Sequence, residues 1–236
     1  MGRAIAIMGA KGGVGTTTVA CNLAAQLHRA GAGRVLLVDL HLFLGDIGYR
    51  LGLEQRPTVG ELLQAEDPDW TSAPQHRLGF SVLGLDSDLA HADHVSAEDV
   101  VDLLAGCRAG FDVVILDCGA EVTEASLAAC RYADTRLIVT TEQRPALIGA
   151  KRRLKVLGAL GIPGRVATGI INRSHPESGV TPADVERAIG LPIGACIRNA
   201  WQDNQTALSR QLLLMESCPT ADIVEDYSAL VSSVRQ

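Results

Sequence analysis

Along the chain, short blocks of consecutive apolar residues alternate with longer stretches in which apolar residues recur every three or four positions. The blocks fall at Arg3 to Met8, 34–39 (RVLLVD), 78–85, 111–117 (FDVVILD), 135–141, 165–172 and 191–197. Each is short and rich in Val, Ile and Leu, which is the pattern of a strand covered on both faces. The helical stretches are Thr17 to Ala30, where Ala20, Leu23, Ala24 and Leu27 share a face and glycines 31 and 33 supply the stop, then one opening at Ser96, then 121–132, 145–160 and 181–188. Thr58 with Glu61 makes a capping box for a short helix over 58–64. The stretch 41–57 reads as a loop with an apolar patch. The run at 191–197 contains Pro192 and so reads as an edge strand, and two helices finish the chain. The alternation is βαβ throughout. It predicts an α/β fold: a doubly wound, mostly parallel sheet with helices on both faces.

Composition supports that picture and trims the functions open to it. With 236 residues, 47% hydrophobic and only 3% aromatic, the chain suits one domain over 1–236, its core built from Val, Ile, Leu and Ala. The net charge of −6 excludes a chain-wide basic footprint for nucleic acid. Six cysteines, at 21, 107, 118, 130, 196 and 218, form no C-x-x-C pair and no zinc spacing, so they read as small buried hydrophobes of a reducing cytosol. The first apolar run is too short for a signal peptide, and no run of about 18 apolar residues exists to span a membrane.

In doubly wound sheets a ligand sits beyond the carboxyl ends of the strands, so the residues just after each strand carry the chemistry. After the first strand comes AKGGVGTTT, from Ala10 to Thr18, opening a helix. Glycines 12, 13 and 15 let backbone N–H groups turn toward phosphate oxygens, and the helix N-terminus adds partial positive charge. The Thr17 hydroxyl is placed to bind Mg²⁺. The pattern G-x-x-x-x-G-K-[ST] fails twice, with Ala10 for the first Gly and Thr16 for the Lys. Two acids, Asp39 and Asp117, end hydrophobic strands, as the carboxylates that hold Mg²⁺ in phosphate-loop proteins do. The loop lacks G-x-G-x-x-G, which disfavours a dinucleotide oxidoreductase.

These motifs together resemble the deviant Walker A family of ATPases, which includes MinD, ParA and the nitrogenase iron protein, and the resemblance covers essentially the whole chain. The family's loop reads KGGVGK[TS]T, and Lys11 stands where its signature lysine stands. The resemblance implies ATP or ADP with Mg²⁺ as cofactor, cradled by Lys11, Gly12, Gly13, Val14, Gly15, Thr16, Thr17 and Thr18. It implies a homodimer sandwiching the nucleotide, with Lys11 reaching across to the partner's phosphates. The family's D-x-D motif is matched by Asp39-Leu40-His41, its Walker B acid by Asp117, and its Asn-Arg near adenine by Asn172 and Arg173. Thr17, Asp39 and Asp117 are thereby the metal-binding set, and Lys11, Asp39 and His41 the catalytic one. The stretches GAKGGVGTTTVACNLA, VLLVDLHLFLGDIGYRLGLE and TVGELL, with Gly45-Asp46, look most like the CpaE/TadZ branch, whose members associate with the Tad-type pilus assembly and secretion machinery, often at a cell pole. That branch commonly carries an N-terminal receiver-like domain, which this chain is expected to lack because its loop begins at Ala10.

Two departures bear on activity. A lysine about 4 Å from a phosphate charge gains roughly 4 kcal/mol at an effective dielectric near 20, and Thr16 cannot supply that. The second acid, which positions the attacking water, is His41; it could act as a base or be a surface histidine in a switch loop. Where the family leads one to expect Pro and Asp after the strand near Ile197, this chain has IRNAWQD. The resulting expectation is a nucleotide-dependent assembly or localisation factor of CpaE/TadZ type with weak or absent hydrolysis, and the alternative is a ParA/MinD-type ATPase that positions or partitions DNA or protein complexes by cycling. Pilus or secretion proteins are the expected partners and the cytoplasm the expected location, polar or at the inner face of the membrane through those partners. DNA binding is not expected: AKRRLK (150–155) is the one basic cluster in an acidic chain and reads as a solvated helix face. The last helix sets Ile223, Val224, Tyr227, Leu230, Val231 and Val234 on one face opposite an acidic one, which fits docking on the core rather than membrane targeting. Leu42, Phe43 and Leu44 fall in the switch region, either as a contact surface or tucked into the core.

Overall fold

The computed structural model describes residues 1–41, 45–53, 57–84, 95–162 and 167–235. Seven strands form one parallel sheet in the order β3-β2-β4-β1-β5-β6-β7. They are β1 (Arg3–Gly9), β2 (Val35–Asp39), β3 (Ser81–Leu83), β4 (Val113–Asp117), β5 (Thr135–Thr140), β6 (Ala167–Ser174) and β7 (Ile193–Arg198). The helices are α1 (Thr16–Arg29), α2 (Ile47–Leu51), α3 (Val59–Gln64), α4 (Ala97–Gly110), α5 (Glu124–Tyr132), α6 (Arg144–Ala159), α7 (Pro182–Ile189), α8 (Trp201–Ser209), α9 (Leu214–Ser217) and α10 (Asp222–Arg235).

Side chains of β1 alternate between two cores. Ala4, Ala6 and Met8 face a layer containing α4, α5, α6 and α7, with residues such as Leu103, Ala129, Ala150 and Val185. Ile5 and Ile7 face a layer built from α1, α2, α8, α9 and α10, with Leu23, Ile47, Ala207, Leu214 and Leu230. Strands buried on both faces have no polar side to show, which is why they read as unbroken apolar blocks. β1 lies at the sheet centre between β4 and β5, so the loop after it emerges where the strand order reverses. β7 pairs with β6 alone and is the edge strand that Pro192 predicted.

The structure differs from the sequence reading in four places. The stretch 41–57 holds helix α2, stopped by Gly52 in the left-handed region. Of the strand expected over 78–85, Ser81–Leu83 form β3, and residue 85 lies outside the described residues. Three helices rather than two follow β7. In the basic cluster, Lys151, Arg152 and Lys155 are exposed, but Arg153 is buried and its guanidinium donates to the Ala120 carbonyl. Leu42, Phe43 and Leu44 lie outside the described residues.

All six cysteines are unpaired, and Cys21, Cys107, Cys118 and Cys130 are buried. No helix among the described residues is long and apolar enough to cross a membrane. The six apolar residues named for the last helix are all buried in α10. Gln26 of α1 donates to the Val224 carbonyl at 3.1 Å, and Arg198 grips Asp226 through Nε at 2.7 Å and Nη2 at 2.8 Å. The apolar face of α10 is therefore engaged by the sheet. Truncating fully buried Leu230 to Ala is expected to cost about 2–5 kcal/mol. The exposed Ser232→Ala control should stay within about 0.5 kcal/mol. Denaturant unfolding checks both, and equal small effects would show that α10 is not part of the cooperative core.

Candidate functional site

The carboxyl ends of the strands gather the predicted residues. The loop 10–15 leaves β1 held on both sides: Gly9 N–H donates to the Gly119 carbonyl and Ala10 N–H to the Val139 carbonyl, each at 2.7 Å. Gly15 then starts α1 at φ 92°, a left-handed conformation that favours glycine. A Cβ there would also lie 2.3 Å from Asn172 Nδ2. Asn172, buried at the end of β6, donates to the Val14 carbonyl at 2.8 Å and latches the loop from the far side.

Helices α3, α4, α5 and α7 each carry a Ser or Thr capping box, at Thr58, Ser96, Thr123 and Thr181. α1 has no side-chain cap and no acid in its first turn. Its leading N–H groups and the positive end of its dipole are left facing the loop. Gly12 and Gly13 are exposed, Val14 is buried, and Thr17 and Thr18 are half-buried. Thr16 is buried, its Oγ1 packed against Gly9. Lys11 is exposed and its ammonium donates back to the Gly12 carbonyl at 2.8 Å.

Beneath the loop, the parallel register of β2 and β4 pairs Asp39 directly with Asp117. Both side chains are fully buried. Asp39 Oδ1 accepts from His41 N–H at 3.0 Å and Oδ2 from Ile47 N–H at 3.3 Å. Burial, reinforced by Asp117, pushes Asp39 up to about 8. Burial also raises Asp117, opposed by the neighbouring Thr17 hydroxyl, the Gly119 N–H and the His41 ring. Asp117 Oδ1 accepts from Gly119 N–H at 3.1 Å, whereas Oδ2 is buried with no partner of hydrogen-bonding geometry. The His41 ring rests on Gly119, where a Cβ would come within 2.6 Å of His41 Cδ2.

An orphaned buried carboxylate oxygen, a second carboxylate beside it and a nearby hydroxyl suit a hard divalent cation. No cluster of three or more His, Cys, Asp or Glu exists among the described residues. That fits Mg²⁺, which keeps several waters and shares phosphate oxygens rather than using an all-protein cage. From the loop a cleft of about 430 Å³ runs outward, lined among others by Lys11, Gly13, Val14, Arg173, Asn199 and Trp201. Arg173 is exposed and adopts φ 56°, an uncommon backbone conformation for a residue with a side chain. The loop, the two acids, His41 and the Asn172–Arg173 pair are thus brought together. Asn199 and Trp201 were not among the predicted site residues. The sequence signal for them was the stretch IRNAWQD, standing where Pro and Asp were expected.

Fold and site together define a P-loop NTPase architecture: a parallel sheet with a glycine loop at its switch point and strand-end acids beneath it. Residues 1–173 match the ParA family model, described as NUBPL iron-transfer P-loop NTPase, and the chain belongs to this ParA/MinD family of P-loop NTPases. Among curated relatives, it is 33% identical over 180 residues to the septum site-determining protein MinD of Synechocystis. That alignment covers 75% of this chain and 66% of the relative, just under two thirds of the relative's length. Among solved structures, the ParA family ATPase of Chlorobium tepidum superposes at TM-score 0.90 and 21% identity, with both chains fully covered. The septum site-determining protein MinD of Pyrococcus horikoshii, solved in complex with Mg-ADP, superposes at TM-score 0.87 and 20% identity, covering 100% of this chain and 97% of that one.

Burial holds Asp39 protonated far above the ordinary carboxylate value of about 3.9. The folded state therefore binds more protons than the unfolded one between about pH 4 and pH 8. The stability that this proton contributes is complete below about pH 4 and is lost as pH rises toward 8, by at most about 1.4 kcal/mol per unit for one carboxyl. With a chelator present, the wild-type protein is expected to melt at lower temperature at pH 8 than at pH 6. Asp39→Asn should shrink that difference, as thermal melts at the two pH values would show. An equal drop in both proteins would rule Asp39 out as the titrating group.

Proposed function

We propose that the chain binds a Mg²⁺-complexed adenine nucleotide, ATP or ADP, and uses the bound state to dimerise and to position an assembly, as a CpaE/TadZ-like factor of Tad-type pilus or secretion machinery with slow or absent hydrolysis. One observation carries this reading: the glycine loop and its uncapped helix sit over two buried, adjacent carboxylates, while the side chain in the place of the loop lysine, Thr16, is turned into the core. Binding needs what is present. Backbone N–H groups from Gly12 to Thr18 and the α1 dipole grip phosphates. The Thr17 hydroxyl, with Asp39 and Asp117 behind it, would hold Mg²⁺, which when bound supplies a Lewis acid at the phosphate oxygens. Asn172 and Arg173 stand on the base side. A relative of this architecture was solved with Mg-ADP, which supports the same ligand here.

Rapid turnover needs what is missing. Phosphoryl transfer is accelerated by fixed charge aimed at the transferring group and by an oriented water. Thr16 brings no charge, and His41 replaces the second acid. Lys11 restores part of the charge if it leaves the Gly12 carbonyl and reaches the phosphates of a facing copy. Because α10 turns its apolar face into the core, that face is not free to bind a membrane, and partner proteins are the proposed route of recruitment to a membrane or a pole. The basic cluster of α6 exposes three residues, Lys151, Arg152 and Lys155, in a chain of net charge −6, too few to make DNA the favoured partner.

A second reading, a cycling ParA/MinD-type ATPase that positions DNA or protein complexes, is favoured by the His41 ring, which rests on Gly119 and lies close enough to Asp117 to influence its charge. Steady-state hydrolysis separates the two. The purified protein is expected to bind Mg-ATP or Mg-ADP yet turn over well below the roughly 1 s⁻¹ at the slow end of ordinary enzymes. Thr16→Lys is expected to raise that rate by at least tenfold. Fast wild-type turnover would favour the cycling reading, and no binding of either nucleotide at millimolar concentration would overturn the nucleotide reading altogether.

A further inference from the structure

Where the cleft leaves the loop it is closed by side chains that the phosphate chemistry does not use. Trp201, the first residue of α8, has 59% of its surface exposed, unusual for the largest apolar side chain and unexplained by packing. It lines the 430 Å³ cleft together with Lys11, Gly13 and Val14 of the loop, so a ligand whose phosphates lie on the loop extends toward it. It also lines two further depressions that meet at the same place, one shared with Thr18 and Asn172, the other with Arg198 and Asp222. Facing the same cleft is Arg173, in the left-handed backbone region at φ 56°, a conformation that costs energy and is retained where the surroundings require it. Among the described residues the Arg173 guanidinium is in no ion pair, unlike its neighbour Arg198, which is committed to Asp222 and Asp226. The cleft therefore pairs an uncommitted aromatic plane with an uncommitted guanidinium plane. The carboxylate that lines this cleft, Glu142, is already engaged, accepting from the Ser174 hydroxyl at 2.7 Å and the His175 N–H at 3.3 Å.

Resting on the reading that this cleft takes a nucleotide, we propose that Trp201 is the platform on which the base stacks, with Arg173 opposite, and that the site therefore holds the base by ring surface rather than by base edge and takes guanine as well as adenine nucleotides. Every base offers a π-face, so stacking on an aromatic side chain or a guanidinium gives affinity with little discrimination. The amide of Asn199, which lines the cleft, carries both donors and an acceptor and can face either purine edge, whereas that of Asn172 is committed to the Val14 carbonyl and the Arg173 N–H.

The chain has two tryptophans, and Trp70 lies away from the cleft against Gly106 of α4. In a Trp70→Phe background all tryptophan emission comes from Trp201. Titration with Mg-ADP and with Mg-GDP is expected to quench that emission, with dissociation constants within about fivefold of each other, while inorganic pyrophosphate binds by calorimetry and leaves emission unchanged. Trp201→Ala should weaken both nucleotides about tenfold, which is about 1.4 kcal/mol, and leave pyrophosphate unaffected. Trp201→Phe, which keeps a ring, should restore most of the loss. ADP binding that neither quenches Trp201 nor weakens in Trp201→Ala overturns the platform, and GDP binding more than tenfold weaker than ADP overturns selection by ring surface. Failure of both ADP and pyrophosphate to bind overturns the nucleotide reading itself, and this inference with it.

Discussion

Two carboxylates forced together in the dry interior are the constraint around which this molecule is arranged. Asp39 and Asp117 end adjacent parallel strands in the same register, and both are fully buried. Two like charges so placed cannot both ionise without a compensating cation. The sheet does not relieve this: it gives Asp39 two backbone N–H donors, gives one oxygen of Asp117 a single donor and leaves the other oxygen orphaned. The strain is matched from above by an uncapped helix N-terminus carrying the equivalent of about half a positive charge. Loop and acids together form a receptacle for a cation with an anion attached, which is what a metal-bound phosphate group is.

The same acids organise what surrounds them. Asp39 accepts from the N–H of His41 and, eight residues along the chain, from the N–H of Ile47, the first residue of α2. The charge on one carboxyl is thereby coupled to the backbone of the segment entering α2. Asp46 and Arg50 add an ion pair at 2.6 Å within the same turn. On the other side Asn172 ties the Val14 carbonyl to β6, and Ser174 donates to Glu142 at 2.7 Å, so the far wall of the cleft is held to the loop and to the end of β5 by side-chain hydrogen bonds. The loop and the far wall of the cleft are mechanically one unit.

Much of this was legible in the sequence, and the exceptions have physical causes. Strands buried on both faces announce themselves as apolar blocks, so all seven were found, and the acids following two of them fell at the sheet's carboxyl edge. α2 was missed because a five-residue helix is too short to show a period and ends on Gly52, which read as loop. α9, with four residues, escaped for the same reason. Arg153 was counted with its basic neighbours, yet it sits in phase with Ala146, Ala150 and Leu157, the buried stripe of α6, and the helical period rather than residue type decided its fate. The position of Trp201 followed from no local pattern. It depends on how α8 leaves β7 beside a loop nearly two hundred residues earlier, and only the tertiary arrangement supplies that.

That division has a consequence for how such a site tolerates change. The phosphate end is made of backbone: glycine turns, N–H groups and a helix dipole, with side chains contributing mainly charge that a metal ion can partly replace. A substitution such as Thr for Lys at position 16 removes charge without disturbing the cradle, so grip survives better than speed, because the transition state asks for more positive charge than the ground state does. The far end of the cleft is made of side chains on β6 and at the start of α8, where no backbone scaffold dictates the residue, so on the proposed reading a change there would alter which ligand is preferred rather than whether the fold holds. On the proposed reading, divergence in the loop would tune turnover and divergence after β7 would tune selection, while the paired acids between them are fixed by strand register.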